Sequence, residues 1–261
     1  MQSLRYEEFA VHESLRPWIL NYWRFSVGAL PPHAAAHTVW PDGCTSLAMI
    51  ATPGPRPRVV WTGPRVTAMQ PPLNPHSVMW GVRLWPDCSA SVLGIPARQL
   101  RDRVGPADAA ATEWMSALLP ALRKDGDAQI IAAFDDVLVA RAAQWPPPDP
   151  NVRRALRCIT ERRGDVRMQD VADVAGLGLR QLQRRFVEAT GLTLREWARV
   201  RRLRESLALR LQSEVGWSTI AAEAGFSDHA HLAREFRELV GLPPTHVADR
   251  LEAIEHRNVR P

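Results

Sequence analysis

The chain has 261 residues, of which 46% are hydrophobic and 23% are charged, which is the composition of a folded globular protein rather than a disordered one. No run of residues approaches the ~20 apolar positions of a membrane span, and the N-terminal residues lack the apolar core of a secretory signal. Cys44, Cys88 and Cys158 are too few and too scattered for a disulfide framework or a four-thiolate zinc site. We therefore expect a reduced, cytoplasmic protein with no membrane partner.

The first 145 residues predict strands followed by helices. Short alternating or apolar runs between prolines and glycines are typical of strands, and they occupy 20–27, 45–50, 58–62 and 76–85. From about residue 89 the apolar positions recur at helical spacing, which predicts helices over 97–104, 112–124 and 127–144. We expect a small β-barrel or sandwich to about residue 88, with trailing helices over 89–145.

Aromatic residues of this first part are candidates for a ligand pocket. Trp23, Trp40 and Trp80, together with Asp42 in a predicted turn, are the candidate ligand-binding residues. The competing interpretation places the tryptophans in the core and lets Asp42 accept backbone N–H groups in a Pro-Asp-Gly turn. The sequence leaves both interpretations open.

No compact pattern of metal ligands or catalytic groups is present in the sequence. The four residues considered as metal ligands lie far apart; they are His33, His37, Cys44 and His76. No Gly-x-Ser-x-Gly, Walker loop or His-Glu-x-x-His motif occurs. We therefore predict no metal site, no cofactor and no catalytic residues, and the chain is not expected to be an enzyme.

A proline-rich segment, 146–150, divides the chain into two parts of different charge. Its sequence, Pro-Pro-Pro-Asp-Pro, excludes a helix interior or a central strand and predicts a stiff, extended linker. Residues 1–150 hold 13 basic and 13 acidic side chains, whereas residues 151–261 hold 20 and 15. We expect two domains, 1–145 and 151–261, joined by this linker. A basic module beside a neutral one is typical of nucleic-acid binding, with a solvated surface as the alternative.

The second part contains an internal repeat with a spacing of 50 residues. Segment 176–192 aligns with 226–242 and is identical to it at six of 17 positions, including Leu182/Leu232, Arg184/Arg234 and Phe186/Phe236. Leu and Phe four residues apart lie on one helical face, and the Arg between them points away from it. Each copy predicts an amphipathic helix that ends at a glycine, preceded by a short alanine-rich helix. This arrangement is typical of a helix-turn-helix unit.

A long amphipathic helix is predicted between the two copies, over 194–212. Its apolar residues recur at steps of three and four, and four arginines lie largely off that stripe: Arg199, Arg201, Arg202 and Arg204. Such a helix is a rigid spacer that packs against both units. Asp228 is expected to cap the second repeated helix, and Gly178 stands at the equivalent position of the first.

These two units, at this separation, resemble the AraC/XylS family of bacterial transcription regulators over about residues 152–252. The run AAEAGFSDHAHLAREFRELVGLPPTHV looks like the C-terminal signature of that family, and LRQLQRRFVEATG looks like its first recognition helix. Gly178 and Thr193 stand where serine and proline are common in the family. The resemblance implies an α+β protein of two domains, with a C-terminal all-α double helix-turn-helix domain.

The resemblance also implies that the two recognition helices enter successive major-groove segments of double-stranded DNA. It assigns base contacts to Arg180, Gln183, Arg184, His229, His231 and Arg234, with a methyl contact from Ala233. Arginine bonds guanine bidentately and glutamine bonds adenine, which is how such side chains discriminate between bases. Phosphate contacts, which position the protein without specifying sequence, are expected from Arg185, Arg195, Arg199 and Arg202.

Three segments of the first part look like the N-terminal domain of one AraC-like subgroup. They are WPDGCTSLAMI at 40–50, GVRLWP at 81–86 and LGIPARQLRD at 93–102. The chain departs from the subgroup at Ser46, where the subgroup has aspartate, and at Asp87, where it has glycine. Domains at this position in the family sense an effector or mediate dimerisation.

The sequence therefore predicts a sequence-specific DNA-binding transcription regulator, modulated by a small-molecule effector at its N-terminal domain. RNA polymerase is a further candidate partner, and both a monomer and a homodimer are compatible with the sequence. The alternative is an enzyme-like N-terminal barrel that is tethered to a DNA-binding domain.

Overall fold

Seven strands form one sheet in the computed structural model, which describes residues 4–29, 37–52, 58–107, 114–115, 118, 126–213, 215–252 and 254–257. The strands are Leu4–Phe9 (β1), Ile19–Val27 (β2), Ser46–Ala51 (β3), Arg58–Thr62 (β4), Val78–Leu84 (β5), Val104–Pro106 (β6) and Glu255–Arg257 (β7). Their order across the sheet is β6-β4-β3-β5-β2-β1-β7, and the described neighbours are antiparallel except for β7, which runs parallel to β1. The predicted strands at 20–27, 45–50, 58–62 and 76–85 are confirmed as β2 to β5.

The helices are arranged in two groups along the chain. Those of the first part are Ser89–Leu93 (α1), Ala97–Leu100 (α2) and Asp127–Ala142 (α3). Those of the second part are Pro150–Glu161 (α4), Met168–Ala175 (α5), Leu179–Thr190 (α6), Leu194–Gln212 (α7), Trp217–Glu223 (α8), His229–Val240 (α9) and Pro244–Glu252 (α10). The architecture is thus a sheet with trailing helices, followed by a helical part, as the sequence predicts.

Three local expectations need correction or lie outside the described residues. The helix predicted over 97–104 ends at Leu100, because Asp102 adopts a left-handed conformation with φ of 56° and Val104–Pro106 pairs with β4 as an edge strand. The C-terminal part is not wholly α-helical, because Glu255–Arg257 returns to the sheet beside β1. The helix predicted over 112–124 falls mostly outside the described residues.

The linker predicted at 146–150 is shorter than expected. Asp149 caps α4, since its carboxylate accepts hydrogen bonds from the backbone N–H groups of Asn151, at 2.9 Å, and Val152. Pro150 is the first residue of the helix, where its missing N–H costs nothing. Residues 146–149 have neither helix nor strand structure.

The two faces of the sheet have different partners. One face packs against α3, where Tyr22, Trp80 and Phe134 are buried in the principal core of the first part. The opposite face carries Trp23, Phe25 and other side chains that border a cavity. This separation follows from the alternation of side chains along each strand.

The spacer helix α7 joins two hydrophobic clusters of the helical part. Its first half contributes Trp197 to a cluster with Leu182 and Phe186 of α6. Its second half contributes Leu203 to a cluster that also contains Phe236 of α9. The predicted role of this helix as a spacer that packs on both units is therefore confirmed. No helix in the described ranges is long and apolar enough to cross a membrane.

Candidate nucleic-acid interface and ligand cavity

The first helix-turn-helix unit consists of α5 and α6. Gly176 ends α5 in the left-handed conformation, with φ of 72°, which a side chain would strain. Leu182 and Phe186 are fully buried on the inner face of α6, and Gly191 ends the helix with φ of 71°. The outer face of α6 is exposed in its first half, over residues 180–184 except for Leu182.

That outer face carries the residues predicted to contact bases. Arg180, Gln183 and Arg184 are all exposed. Gln181 is exposed as well, and it borders a surface groove together with Arg180 and Arg184. Sequence reasoning missed Gln181, although it aligns in the repeat with His231, which was among the predicted residues.

The second unit, α8 and α9, presents an equivalent face. The carboxylate of Asp228 caps α9 by accepting the backbone N–H of His231 at 2.6 Å, as predicted. His229 and Arg234 are exposed. His231 is half-buried, because its ring lies edge-on to Phe226 and its Nδ1 is 3.2 Å from the Ser227 hydroxyl.

Ala233 does not offer the methyl contact expected of it. Its side chain is buried with Leu232 and Phe236 on the inner face of α9. Its repeat partner Gln183 is exposed, so the two helices do not present equivalent residues at this position.

The four predicted phosphate contacts are in different situations. Arg195 is exposed near the start of α7. Arg199 is not the free cation that was expected, because it is bound to two carboxylates of α9, Glu235 at 2.8 Å and Glu238. Its position off the apolar stripe of α7 predicts an outward-facing side chain, but α9 packs against α7 there.

Arg185 and Arg202 are likewise engaged inside the protein. Arg185 forms an ion pair with Asp149, with nitrogen–oxygen distances of 2.6 and 2.8 Å. Arg202 lies over the ring of Phe226 and points a guanidinium nitrogen at the carbonyl of Gly164, 3.5 Å away. These contacts connect α6 with the start of α4, and α7 with neighbouring elements.

A cavity of about 210 Å³ lies on the sheet face opposite α3, and we call it the sheet cavity. Three of the four predicted ligand residues border it: Trp23, Trp40 and Asp42. The ring of Trp23 lies directly on Gly81 of the neighbouring strand, where a Cβ atom would come within 2.1 Å of the ring. The indole N–H groups of Trp23 and Trp40 are buried with no hydrogen-bond acceptor in the described part of the chain.

Trp80, the fourth predicted ligand residue, is wrongly assigned. It lies on the other face of the sheet, where its ring stacks on Phe9 at 5.4 Å and contacts Phe134. In the pairing of β2 with β5, Trp23 lies opposite Gly81, whereas Trp80 lies opposite Arg24. Because side chains alternate between the two faces along each strand, Trp23 and Trp80 point to opposite faces and cannot border the same cavity.

The Pro-Asp-Gly turn connects the sheet cavity with the helical part. The Asp42 carboxylate accepts the backbone N–H of Cys44 at 2.9 Å, as the turn interpretation predicts, and it also forms an ion pair with Arg83 at 2.8 Å. Gly43 has φ of 67° and lies so close to Trp197 of α7 that a Cβ would come within 2.7 Å of the ring. The turn therefore packs directly on the spacer helix.

Among the described residues, three ion pairs join the parts of the chain on either side of the proline-rich segment; the pair between Arg98 and Glu188 is exposed and 3.6 Å long, and the other two are shorter. Arg153 of α4 is buried and bonds both oxygens of Asp87, at 2.7 and 3.0 Å. Arg101, just after α2, bonds Glu196 of α7 at 2.6 Å and also donates to the carbonyl of Gly191 at 2.9 Å. No group of three or more potential metal ligands occurs within the described ranges.

Comparison with known proteins gives two family matches. Residues 171–250 match a family described as a helix-turn-helix domain, and residues 7–106 match a domain of unknown function, DUF6597.

Curated relatives match part of the chain. The transcriptional activator NphR of Rhodococcus sp is 32% identical over 117 residues, which are 44% of this chain and 35% of NphR. The HTH-type transcriptional regulator RipA of Corynebacterium glutamicum is 28% identical over 102 residues, which are 38% of this chain and 30% of RipA. The chain thus spans about a third of the length of the curated relatives it matches.

Among solved structures, ToxT from Vibrio cholerae O395 aligns over 96% of this chain and 99% of ToxT, with 11% identity and a TM-score of 0.47. The family match at 171–250 covers most of both helix-turn-helix units, which run from Met168 to Val240. The C-terminal part of the chain therefore contains a helix-turn-helix domain of the matched family.

Proposed function

We propose that this protein is a sequence-specific DNA-binding transcription regulator. In this proposal residues 151–261 bind DNA, residues 1–145 sense an effector or mediate dimerisation, and 146–150 connect the two. The proteins NphR and RipA, whose names describe them as transcription regulators, support the same function.

The observation that carries the proposal is the pair of exposed polar faces on α6 and α9. Each helix buries its Leu and Phe and exposes an arginine at the same repeat position, Arg184 or Arg234. Neither arginine has an ion-pair partner among the described residues. A recognition helix needs this arrangement, because its donors must be free to meet base edges in the major groove.

The spacer helix supports binding by a single chain. Recognition helices that enter successive major-groove segments must lie about one DNA turn, ~34 Å, apart. The helix α7 packs on both units, so their separation is held by one continuous element. Exposed Arg195 at its start is the proposed phosphate contact.

The sheet cavity is the proposed effector site of the regulator. Its aromatic wall and the two buried indole N–H groups suit a small molecule with an apolar body and an acceptor oxygen. This interpretation makes the first part a sensor rather than an enzyme. We further propose that the protein acts in the cytoplasm, that RNA polymerase is a partner, and that it works as a monomer or homodimer.

Selection of genomic DNA fragments by the purified chain tests the proposal. We expect a motif with two half-sites about 10 base pairs apart. Arg184→Ala should blur one half-site and Arg234→Ala the other, each at a cost of about 1–3 kcal/mol in binding free energy. Arg157→Ala is the matched control, because Arg157 is an exposed arginine of α4 outside both recognition helices.

The proposal would be contradicted if the wild-type chain, Arg184→Ala, Arg234→Ala and the control Arg157→Ala all enriched the same DNA fragments. Equal loss of affinity with the control and with the test variants would also contradict it, since this would indicate a general charge effect rather than base recognition.

A further inference from the structure

A second cavity, of about 590 Å³, lies between the sheet and the spacer helix, and we call it the interface cavity. Glu8, Asp42 and Arg83 border it from the sheet side, whereas Trp197, Arg201 and Arg204 border it from α7. Its size is in the range of small-molecule sites. Asp42 and Arg83 also border the sheet cavity, so the two cavities are neighbours.

Two hydrogen-bond donors on the α7 side of this cavity are buried and unsatisfied. They are the indole N–H of Trp197 and the Nε–H of Arg201, neither of which meets an acceptor in the described part of the chain. Buried donors are nearly always satisfied in folded proteins, and leaving one unpaired is destabilising. The two residues lie one helical turn apart on the same helix face, with the Arg201 guanidinium 5.8 Å from the centre of the Trp197 ring.

The charges around the interface cavity do not balance. Arg83 is bound by two carboxylates, Glu8 at 2.6 Å and Asp42 at 2.8 Å. Arg201 and Arg204 have no carboxylate within 4 Å among the described residues, and the nearby carboxylate of Glu205 is bound to Arg163. Three guanidinium groups therefore face two carboxylates, which leaves an excess of one positive charge.

The two unpaired arginines also repel each other. Burial, followed by the charge of Arg204, lowers the pKa of Arg201 to about 10. A lowered pKa means that the charged form of Arg201 is disfavoured where it lies, and that a nearby anion would stabilise it.

We propose that the interface cavity binds the carboxylate of an organic monoanion, with Arg201 and Arg204 holding the carboxylate and the Trp197 indole donating a further bond. The body of the ligand would lie against the apolar wall, which includes Phe9 and Trp85. A single negative charge balances the excess in this cavity, whereas a phosphate dianion would overcompensate it in a partly apolar environment. Binding itself is independent of the proposed function; only the role of this ligand as a second effector, beside one in the sheet cavity, rests on it.

Such a ligand would tie the sheet to the spacer helix. Its carboxylate end contacts α7, and its body contacts residues of the first part of the chain. A regulator could in this way report the presence of a carboxylic acid to both helix-turn-helix units at once, since α7 packs on both.

The test uses the purified full-length chain without DNA, so that failure to bind DNA and failure to bind a carboxylate are distinguished. Isothermal titration and thermal unfolding are measured with two probes, 3-phenylpropionate and indole-3-acetate, beside their neutral amides and phenyl phosphate. We expect at least one carboxylate to bind and to raise the melting temperature, its amide to bind about tenfold or more weakly, and phenyl phosphate to bind less well than the carboxylate.

Variants of the two arginines complete the design. Arg201→Met and Arg204→Met should each weaken carboxylate binding by about tenfold or more, whereas Arg157→Met, an exposed arginine elsewhere in the helical part, should not. Without ligand, Arg204→Met should raise the melting temperature because it removes the repulsion, a result that also establishes that the variant folds.

Three results would overturn the proposal. One is that neither carboxylate stabilises the wild-type chain more than its amide does. Another is that phenyl phosphate binds more tightly than both carboxylates, and the third is that carboxylate affinity is unchanged in the Arg201 and Arg204 variants.

Discussion

Arg153 is the residue on which the contact between the two parts of the chain depends most. It is 7% exposed, and besides Asp87 it contacts the sulfur of Cys88 at 3.1 Å and lies over the ring of Trp85. Asp87 is the position where the sequence departs from the glycine of the AraC-like subgroup. The structure gives that departure a physical reason, since the carboxylate neutralises a buried arginine that arrives from α4.

Removing one partner of the Arg153–Asp87 ion pair should destabilise the folded chain. Arg153→Met leaves the Asp87 carboxylate buried and unpaired, so we expect the free energy of unfolding to fall by about 3–5 kcal/mol. Urea denaturation measures it, with Arg157→Met as the control for loss of an exposed arginine. The double variant Arg153→Met/Asp87→Asn should recover part of the loss. A single-variant effect no larger than that of the control would contradict a structural role for the pair.

Arg195 and Arg199 allow a matched test of which arginine of α7 meets phosphate. Arg195 is exposed, whereas two carboxylates of α9 neutralise Arg199. Arg195→Ala should reduce the slope of log affinity against log salt by about one, while Arg199→Ala should leave that slope unchanged. DNA binding measured at several salt concentrations separates the two. Equal slopes for both variants would indicate that the ion pair of Arg199 opens on DNA or that Arg195 does not touch it.

At the scale of elements, strands whose side chains alternate between apolar and polar residues are predictable, and strands defined by distant partners are not. The segments that became β2 to β5 carry their own apolar pattern. β1 contains two adjacent glutamates, Glu7 and Glu8, which are buried because Arg24 of the adjacent strand β2 and Arg83 of β5, one strand further, bind them. β7 pairs with β1 from the opposite end of the chain, a non-local contact that leaves no mark on a local sequence pattern.

The same reasoning explains how much of the candidate site was predictable. The repeat places Arg184 and Arg234 outward because helical periodicity alone decides which face is buried. It cannot tell that α9 crosses α7 at Arg199, since that depends on how helices pack. The interface cavity was likewise missed, because Arg83 and Arg201 are more than a hundred residues apart and meet only in the folded chain.

The start of α7 is an element whose stability should depend on pH. Thr193 and Glu196 form a capping box, and Glu196 also bonds Arg101. Burial raises the pKa of Glu196, but the hydrogen bonds from Arg101 and Thr193 outweigh it and hold that pKa below its ordinary value. The resulting stability is complete above the ordinary pKa, about 4.3, and is lost as pH falls through the lowered pKa of the folded state.

Glu196→Gln should therefore lower the melting temperature at pH 6 and lose this effect in acid. As pH falls through the lowered pKa of Glu196 in the folded state, the wild-type carboxylate becomes protonated and the two melting temperatures should converge. Thermal unfolding between pH 6 and pH 2.5 measures the difference, with Glu161→Gln as the control because Glu161 is exposed on α4. A difference that is constant across this range would show that the charge of Glu196 is not what stabilises the element.

At the scale of the whole molecule, the first part of the chain touches both helix-turn-helix units. Near the first unit, Arg101 bonds Gly191 and Glu196. Near the second, the backbone N–H of Ala68 donates to the carbonyl of Leu239 at 2.7 Å, and Trp40 is buried in the same cluster as Leu203. The relative position of the two recognition helices is thus held by α7 on one side and by the sheet part on the other.

Because of these contacts, the full-length chain should unfold as one unit. Eight of its ten tryptophans precede residue 151, so tryptophan fluorescence reports mainly on the first part, whereas the circular dichroism of helices reports mainly on the second. In urea the two transitions of the wild-type chain should coincide. In the double variant Arg101→Met/Arg153→Met, which removes the two shorter of the three ion pairs between the parts, the transitions should separate, because less free energy then couples the two parts. If the free energy of unfolding falls by about 2–3 kcal/mol per molar of urea, the loss of about 3 kcal/mol of coupling moves at least one midpoint by about 1 M.

The double variant Arg157→Met/Arg195→Met is the control, because it removes two exposed arginines and should leave the transitions coincident. Separate transitions in the wild-type chain would instead mean that the two parts fold independently, and the sheet part could not then fix how the recognition helices face DNA.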